Sequence, residues 1–464
     1  MRGSLLLPLA APLVISFWFR ASFAWADTVF AAMLTGPDGA PIGDASVAAI
    51  GLTQPFEFLQ IALWIGASNG LTARLAAAMG AGQGERVEQL KRAARKIILA
   101  LILFFVALAV GLWFWIPRLD LDPVVAAQFR IYACVIVAGG ALTSFWSILP
   151  DSLVKAHHDT RSTMWAGIFS SSLNVVLNAF FVFVLHWGMF GIAFSTVIGR
   201  LAGLAYALHR ASAHERSRRV RPEHALPGLD PAPVRSILAI AVPSGITYVL
   251  MAVESQFVNM LLARNESATP LLAGWAIYAR SVSFMAMPAI ATSVAMLPLA
   301  ARLHGARDYG TVRRELGIGI RAAAAYVFFF TLPLTLLLGP WLADRLAEAP
   351  ETRAFAAEAL RWLPVGVAAT APFLLARAAW DGLGRPLPGF LTAVVRTFVV
   401  LLPMVGMALH YHERLGLSPM QGAAIASCGA ALLSSTAFWL WSRAALRRIE
   451  AAAAPPVPRV TEPA

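Results

Sequence analysis

Charge is what this chain has least of. Only 13% of its 464 residues are Asp, Glu, Lys or Arg, about half the share of a soluble domain. Cysteine is almost absent: Cys134 and Cys428 both lie in apolar runs, which excludes a disulfide framework. No Gly-rich phosphate loop is present, so ATP does not drive this chain directly, and no His or Cys cluster has metal-ligand spacing. His157 and His158 sit beside Asp159 in a polar loop and read as surface groups. The alternating ten-residue segments of a membrane barrel are also missing.

What the chain has is apolar length. Hydrophobic residues make up 58% of it and mean hydropathy is +0.68. Runs long enough to cross a bilayer recur throughout, roughly at 6–34, 46–72, 95–116, 129–150, 163–186, 188–208, 236–262, 271–299, 318–342, 360–380, 388–410 and 421–442. The expected fold is an all-α polytopic membrane protein of about twelve transmembrane helices. The first run is too long for a cleaved signal peptide, so it is expected to be retained.

The connections alternate in charge. KAHHDTR and ARLHGARDYGTVRRELGIGIR belong to a basic set; RLDLDP and DRLAEAPETRAFAAEA belong to an acidic or mixed one. Basic loops face the cytoplasm, which places both termini inside a bacterial inner membrane. The net charge of +12 is then a matter of topology, not of nucleic-acid binding. The polar, Pro-rich stretch 209–235 reads as a cytoplasmic linker. It separates an N-terminal bundle, 1–208, from a C-terminal bundle, 236–442, and a disordered tail follows at 443–464.

A repeat joins the two bundles. MGAGQGERV at 79–87 is similar to HGARDYGTV at 304–312, and KAHHDTRSTM falls opposite WDGLGRPLPG at the same offset of 225. Both copies enter the membrane alike, so the halves form a parallel repeat with a cavity between them.

Two acids stand alone in long apolar spans. Asp27 lies in SFWFRASFAWADTVFAAML, and Glu254 opens the second half in VLMAVESQFVNMLLA. A charge at mid-membrane costs about 2.5–3.5 kcal/mol on insertion scales, so function is the default reading. An acid in an apolar setting can take up a proton near working pH; with neutral oxygens around it, it can instead hold a hard cation. Asn174 and Asn178 lie four apart on one helical face, and Thr196 comes from the next span. Helix–helix hydrogen bonding is the alternative role for the asparagines. Gln54, Glu57 and Gln60, about a turn apart, are expected to line the same cavity, with a local structural role near Pro55 as the equal alternative for Glu57. Arg20, Arg200, Arg280 and Arg377 are the intramembrane cations; Arg280 is a candidate partner for Glu254, and Arg377 reads as snorkelling to an interface. Trp275, Tyr278, Phe284, Met285 and Met287 would suit a bulky apolar or cationic ligand.

Taken in order, the two six-span halves, the ADTV acid, the Gly-Ala-rich second loop and the LNVVLN stretch resemble the MATE (multidrug and toxic compound extrusion) transporters of the MOP flippase superfamily. The resemblance covers about residues 5–442. It implies a secondary antiporter, not an enzyme, exporting drug-like compounds in exchange for H+ or Na+ by alternating access, with no cofactor and a monomer as the unit. It implies that Asp27, Asn174, Asn178 and Thr196 form the cation-coupling site, with Asp27 as a possible Na+ ligand. Glu254 matches a second-half acid of some members. Asn178 departs from an aspartate common in the family, and Thr370 stands where some members carry a tenth-span acid. A lipid-linked oligosaccharide flippase of the same superfamily is the alternative, kept open by the arginines. A membrane-embedded lipid-carrier transferase lacks a convincing acidic or His pair in its short loops.

Overall fold

A computed structural model describes residues 3–23, 26–36, 39, 41–220, 229–347 and 349–453. Among these, all regular structure is helical apart from one isolated bridge between Thr35 and Pro41. Hydrocarbon offers the backbone no hydrogen bonds, so an apolar run of this length satisfies its own amides as a helix. Among the described residues, eleven helices are long and apolar enough to span a membrane, and a bent pair makes a twelfth.

In chain order, α1 is described in two pieces, Leu6–Phe23 and Ala26–Ala32. The others of the first half are α2 (Gly43–Gly80), α3 (Gly84–Arg118), α4 (Pro123–Ala156), α5 (Thr160–Val184) and α6 (Gly188–Arg218). The second half begins with α7 (Pro233–Leu262) and the bent α8, whose pieces Ala268–Met285 and Met287–Gly305 meet at 44°. Pro288 sits in the first turn of the second piece, where it cannot donate to the turn before, and the bend follows. Then come α9 (Tyr309–Leu346), α10 (Leu363–Gly382), α11 (Leu387–Tyr411) and α12 (Pro419–Ala452). Loop carboxylates start several of them: Asp122 caps α4, Asp159 caps α5 and Asp308 caps α9, each accepting from first-turn amides.

Two boundaries differ from expectation. The linker expected from residue 209 is helical to Val220, because that extension of α6 is tied down by ions. Arg210 meets Asp159 at 3.0 Å, Glu215 meets Lys91 at 2.8 Å, and Arg218 meets Glu88 at 2.7 Å. The tail expected from residue 443 continues α12 to Ala453, with Arg313 reaching Glu450 at 2.9 Å. Residues 221–228 and 454–464 lie outside the described residues.

The halves meet chiefly through α2 against α7 and α8, and α1 against α8. Small residues permit this. A Cβ on Gly66 would stand 2.5 Å from the Ala241 carbonyl oxygen of α7, and one on Gly70 would stand 2.6 Å from that of Ile237. At the basic-loop end the contact is symmetric: Gly80 packs on the Arg302 carbonyl, and Gly305 packs on that of Ala77. Residues 80 and 305, like 77 and 302, are 225 apart, the offset of the sequence repeat. A pseudo-two-fold axis along the membrane normal therefore passes between these helix ends. The N-terminus of α1 is held across the same seam, where Glu315 accepts from Ser4 Oγ at 2.8 Å and from the Leu5 and Leu6 amides at 3.1 Å.

Deeper in the membrane the halves also touch, Trp18 of α1 lying 6.3 and 6.1 Å from the ring centres of Tyr326 and Phe330 of α9. The outer piece of α1 packs on α2, α5 and α6 of its own half. The matching end of the second half has a separate hydrophobic cluster around Leu262, Tyr278, Leu360 and Val405. The closest backbone contacts between the halves are thus on the basic side.

Candidate functional site

Asp27 opens the short outer piece of α1, and its carboxylate meets donors from three other helices. Asn178 Nδ2 of α5 donates to Oδ1 at 2.7 Å, and Asn174 Nδ2 stands 3.4 Å from the same oxygen. Thr196 of α6 donates to Oδ2 at 2.9 Å, and the Tyr132 hydroxyl of α4 donates to it at 3.3 Å. Ser195 supports the ring by donating to Asn178 Oδ1, while Asn174 Nδ2 also donates to Thr196 Oγ1 at 2.8 Å. Asn178 and Ser195 are fully buried.

The local reasons are simple. Residues one turn apart share a helix face, so Asn174 and Asn178 point together. Gly199 lets α6 approach α5, since a Cβ there would stand 2.6 Å from the Ser170 carbonyl oxygen; Thr196, one turn away, is thereby brought to Asn174. Thr196 lies little more than two turns into α6, which begins at Gly188 on the acidic side. The site is therefore about 12 Å from that end.

Charged side chains lie beyond the ring. Glu57 of α2 lies in the fields of Arg200 and Asp27, and Arg20 in those of Arg200 and Asp151. Gly140 of α4 makes room for Arg200, whose Nη1 would be 2.8 Å from a Cβ at that position. Gln60 is buried and donates to the Val137 carbonyl at 3.1 Å. Gln54 is exposed. So the residues expected around Asp27 converge, with Gln54 outside the ring. Tyr132 and Ser195 were missed: nothing in their flanking sequence distinguishes them from packing residues.

In the second half, Arg396 of α11 meets Glu254 Oε2 at 2.7 Å, and Thr397 donates to the same oxygen at 2.7 Å. The Arg396 guanidinium also lies 4.8 Å from the centre of the Phe373 ring. Thr370 only returns a hydrogen bond to the Gly366 carbonyl.

Arg377 does not snorkel. It is 2% exposed, donates to the Tyr248 hydroxyl at 2.8 Å and stands 3.7 Å from Asp381. Ser244 links Asp381, at 3.1 Å, to Asn69 of the first half, at 2.8 Å. This network fastens α10 to the seam. His157 and His158 are likewise not free surface groups: His157 stacks on His214 with ring centres 5.0 Å apart, and His158 reaches the Pro298 carbonyl of α8 at 3.5 Å. Among the described residues no group of three or more His, Cys, Asp or Glu could hold a metal ion.

Comparison with known proteins agrees with this architecture. The MatE family profile matches residues 12–180 and 243–405. A probable multidrug resistance protein NorM of Thermotoga maritima is 25% identical over 440 residues, 89% of this chain and 86% of that one. Another NorM, of Deinococcus radiodurans, is 30% identical over 216 residues, and this match spans about half of each protein, 46%. Among solved structures, a variant of the Vibrio cholerae MATE transporter VcmN superposes with a TM-score of 0.81 at 21% identity, covering 96% of this chain and 97% of that one. A MOP superfamily transporter from Pyrococcus furiosus superposes at 0.82 with 20% identity, covering 97% of both. Twelve spans in two joined halves and a family match over most of the chain lead to one assignment: the chain belongs to the MatE family, whose members are membrane transporters.

Proposed function

We propose that this protein is a secondary antiporter of the bacterial inner membrane, with both termini in the cytoplasm. Entry of H+ or Na+ at Asp27 drives export of a drug-like cationic or amphiphilic compound, and the two halves rock about their seam to give alternating access. The observation that carries this reading is the ring of donors from α4, α5 and α6 on the Asp27 carboxylate. Binding a cation removes the negative charge that orders those donors, so α1 must repack against α5 and α6. Every group directed at the carboxylate is a neutral donor, and such bonds stabilise its charged, cation-accepting form. Glu254 already has its cation in Arg396, which supports coupling in the first half alone. Glu57, Gln54, Glu254 and Arg280 then serve the cavity.

The test is dye efflux from a pump-deficient bacterium with proton and sodium gradients imposed separately. Wild type should follow one gradient, and Asp27→Asn should abolish efflux at equal membrane abundance. Undiminished efflux from that variant would falsify the proposal. A lipid-linked oligosaccharide flippase is the second reading, supported by Arg20 and Arg200 lying in each other's field. Efflux under neither gradient, with a lipid-linked precursor accumulating on deletion, would favour it.

A further inference from the structure

We propose that the seam between α3 and α7 on the basic side binds the headgroup of an anionic phospholipid. Lys96 and Arg235 are each the last charged residue before a long uncharged run; the next charges are Arg118 and Glu254. Both therefore stand at the level where hydrocarbon begins. A recess of about 590 Å³ lies beside them, lined also by Ala232, Pro233 and Val234 and, about one turn further along α7, by Leu238 and Ala239.

Among the described residues the charge there is unpaired. Arg92 stands one turn before Lys96 on the same face of α3. Arg92, Lys96 and Arg235 are all exposed, and among the described residues none has an ion pair or a side-chain hydrogen bond. Neighbouring cations differ: Arg86 lies 3.8 Å from Asp230, and Lys91 contacts Glu88 and Glu215. Helix α7 also begins here, with Pro233 in its first turn and no side-chain cap, so its open amides add to the positive potential.

Apolar walls beside a cluster of cations match a phosphate with its acyl chains. The choice of an anionic lipid follows from the acids. A choline or ethanolamine head would bring an ammonium that needs a carboxylate, and Asp230 is engaged by Arg86 and by the Ala232 amide at 2.9 Å. Because α3 belongs to the first half and α7 opens the second, such a lipid bridges the halves on the side where they are joined. The site does not depend on antiport; the proposed orientation decides only that the leaflet is the cytoplasmic one.

The experiment is thermal unfolding of the full-length protein in neutral detergent, titrated with short-chain phosphatidylglycerol, short-chain phosphatidylcholine or glycerol phosphate. Phosphatidylglycerol should raise the Tm saturably and the other two should not. Lys96→Gln/Arg235→Gln should weaken the response about tenfold or more, Lys96→Arg should retain it, and Arg307→Gln, a basic-loop control, should leave it intact. An equal rise with phosphatidylcholine, an equal rise with glycerol phosphate, or an unchanged titration in the double variant overturns the proposal.

Discussion

At the scale of single residues, the buried charges divide into two kinds. Asp27 is surrounded by neutral donors, whereas Glu254 and Arg377 are fastened to partners of opposite charge. Removing one member of a buried pair strands the other, at a cost of about 3–5 kcal/mol, while replacing both is often nearly neutral. Arg396→Met should therefore lower the Tm of the purified protein sharply, and Glu254→Gln/Arg396→Met should recover most of the loss. If the double variant were as unstable as the single one, Glu254 would be held by something other than Arg396. Glu254 was legible in the sequence as a lone acid in an apolar run. Its partner was not, because Arg396 lies 142 positions later and several arginines were equally eligible. The arginine on the neighbouring span, Arg280, was the natural choice on spacing alone.

At the scale of helices, close approach at the seam depends on residues without side chains. Gly80 and Gly305 each rest on a carbonyl of the other half, and backbone cannot move aside as a side chain would. Overpacking at such a contact costs about 1–3 kcal/mol. Gly305→Ala should thus bias the molecule away from closure on the basic side. In a background lacking Cys134 and Cys428, an Ala77→Cys reporter should react with a thiol reagent added from the basic side roughly fivefold faster or more, since about 1 kcal/mol shifts a two-state population by that factor. Equal labelling rates with and without Gly305→Ala would show that the seam tolerates the methyl group. The repeat around these glycines was visible in the sequence. That its two copies touch each other was not, since a repeat reports similarity and not contact.

At the scale of the whole molecule, the basic end is both the end where the halves approach most closely and a titratable one. His158, in the loop between α4 and α5, has φ of 61° and faces the Pro298 carbonyl and Arg302 across the seam. Burial, then the charge of Arg302, pull its pKa down to about 4, from about 6.5 in an unfolded chain. The folded protein thus favours neutral His158, and the unfolded chain binds more protons between these values. Stability is fully present above about pH 6.5 and declines as the pH falls toward 4. His158→Gln, which keeps a hydrogen-bonding side chain without the titration, should flatten the Tm against pH over that window. An unchanged profile would place the acid sensitivity elsewhere.

Composition and hydropathy by themselves determined that this is a helical membrane protein, how many times it crosses, and where its two lone acids stand. Those properties follow from the local demand that every backbone group in hydrocarbon be satisfied within its own helix. The Asn174–Asn178 pair was also readable, because one helical turn is a local distance. Which side chains complete the Asp27 ring, which arginine neutralises Glu254, and where the halves join were decided only in the tertiary structure. Each depends on a contact between helices distant in sequence, and a helix face with one polar group has many possible partners until packing selects one.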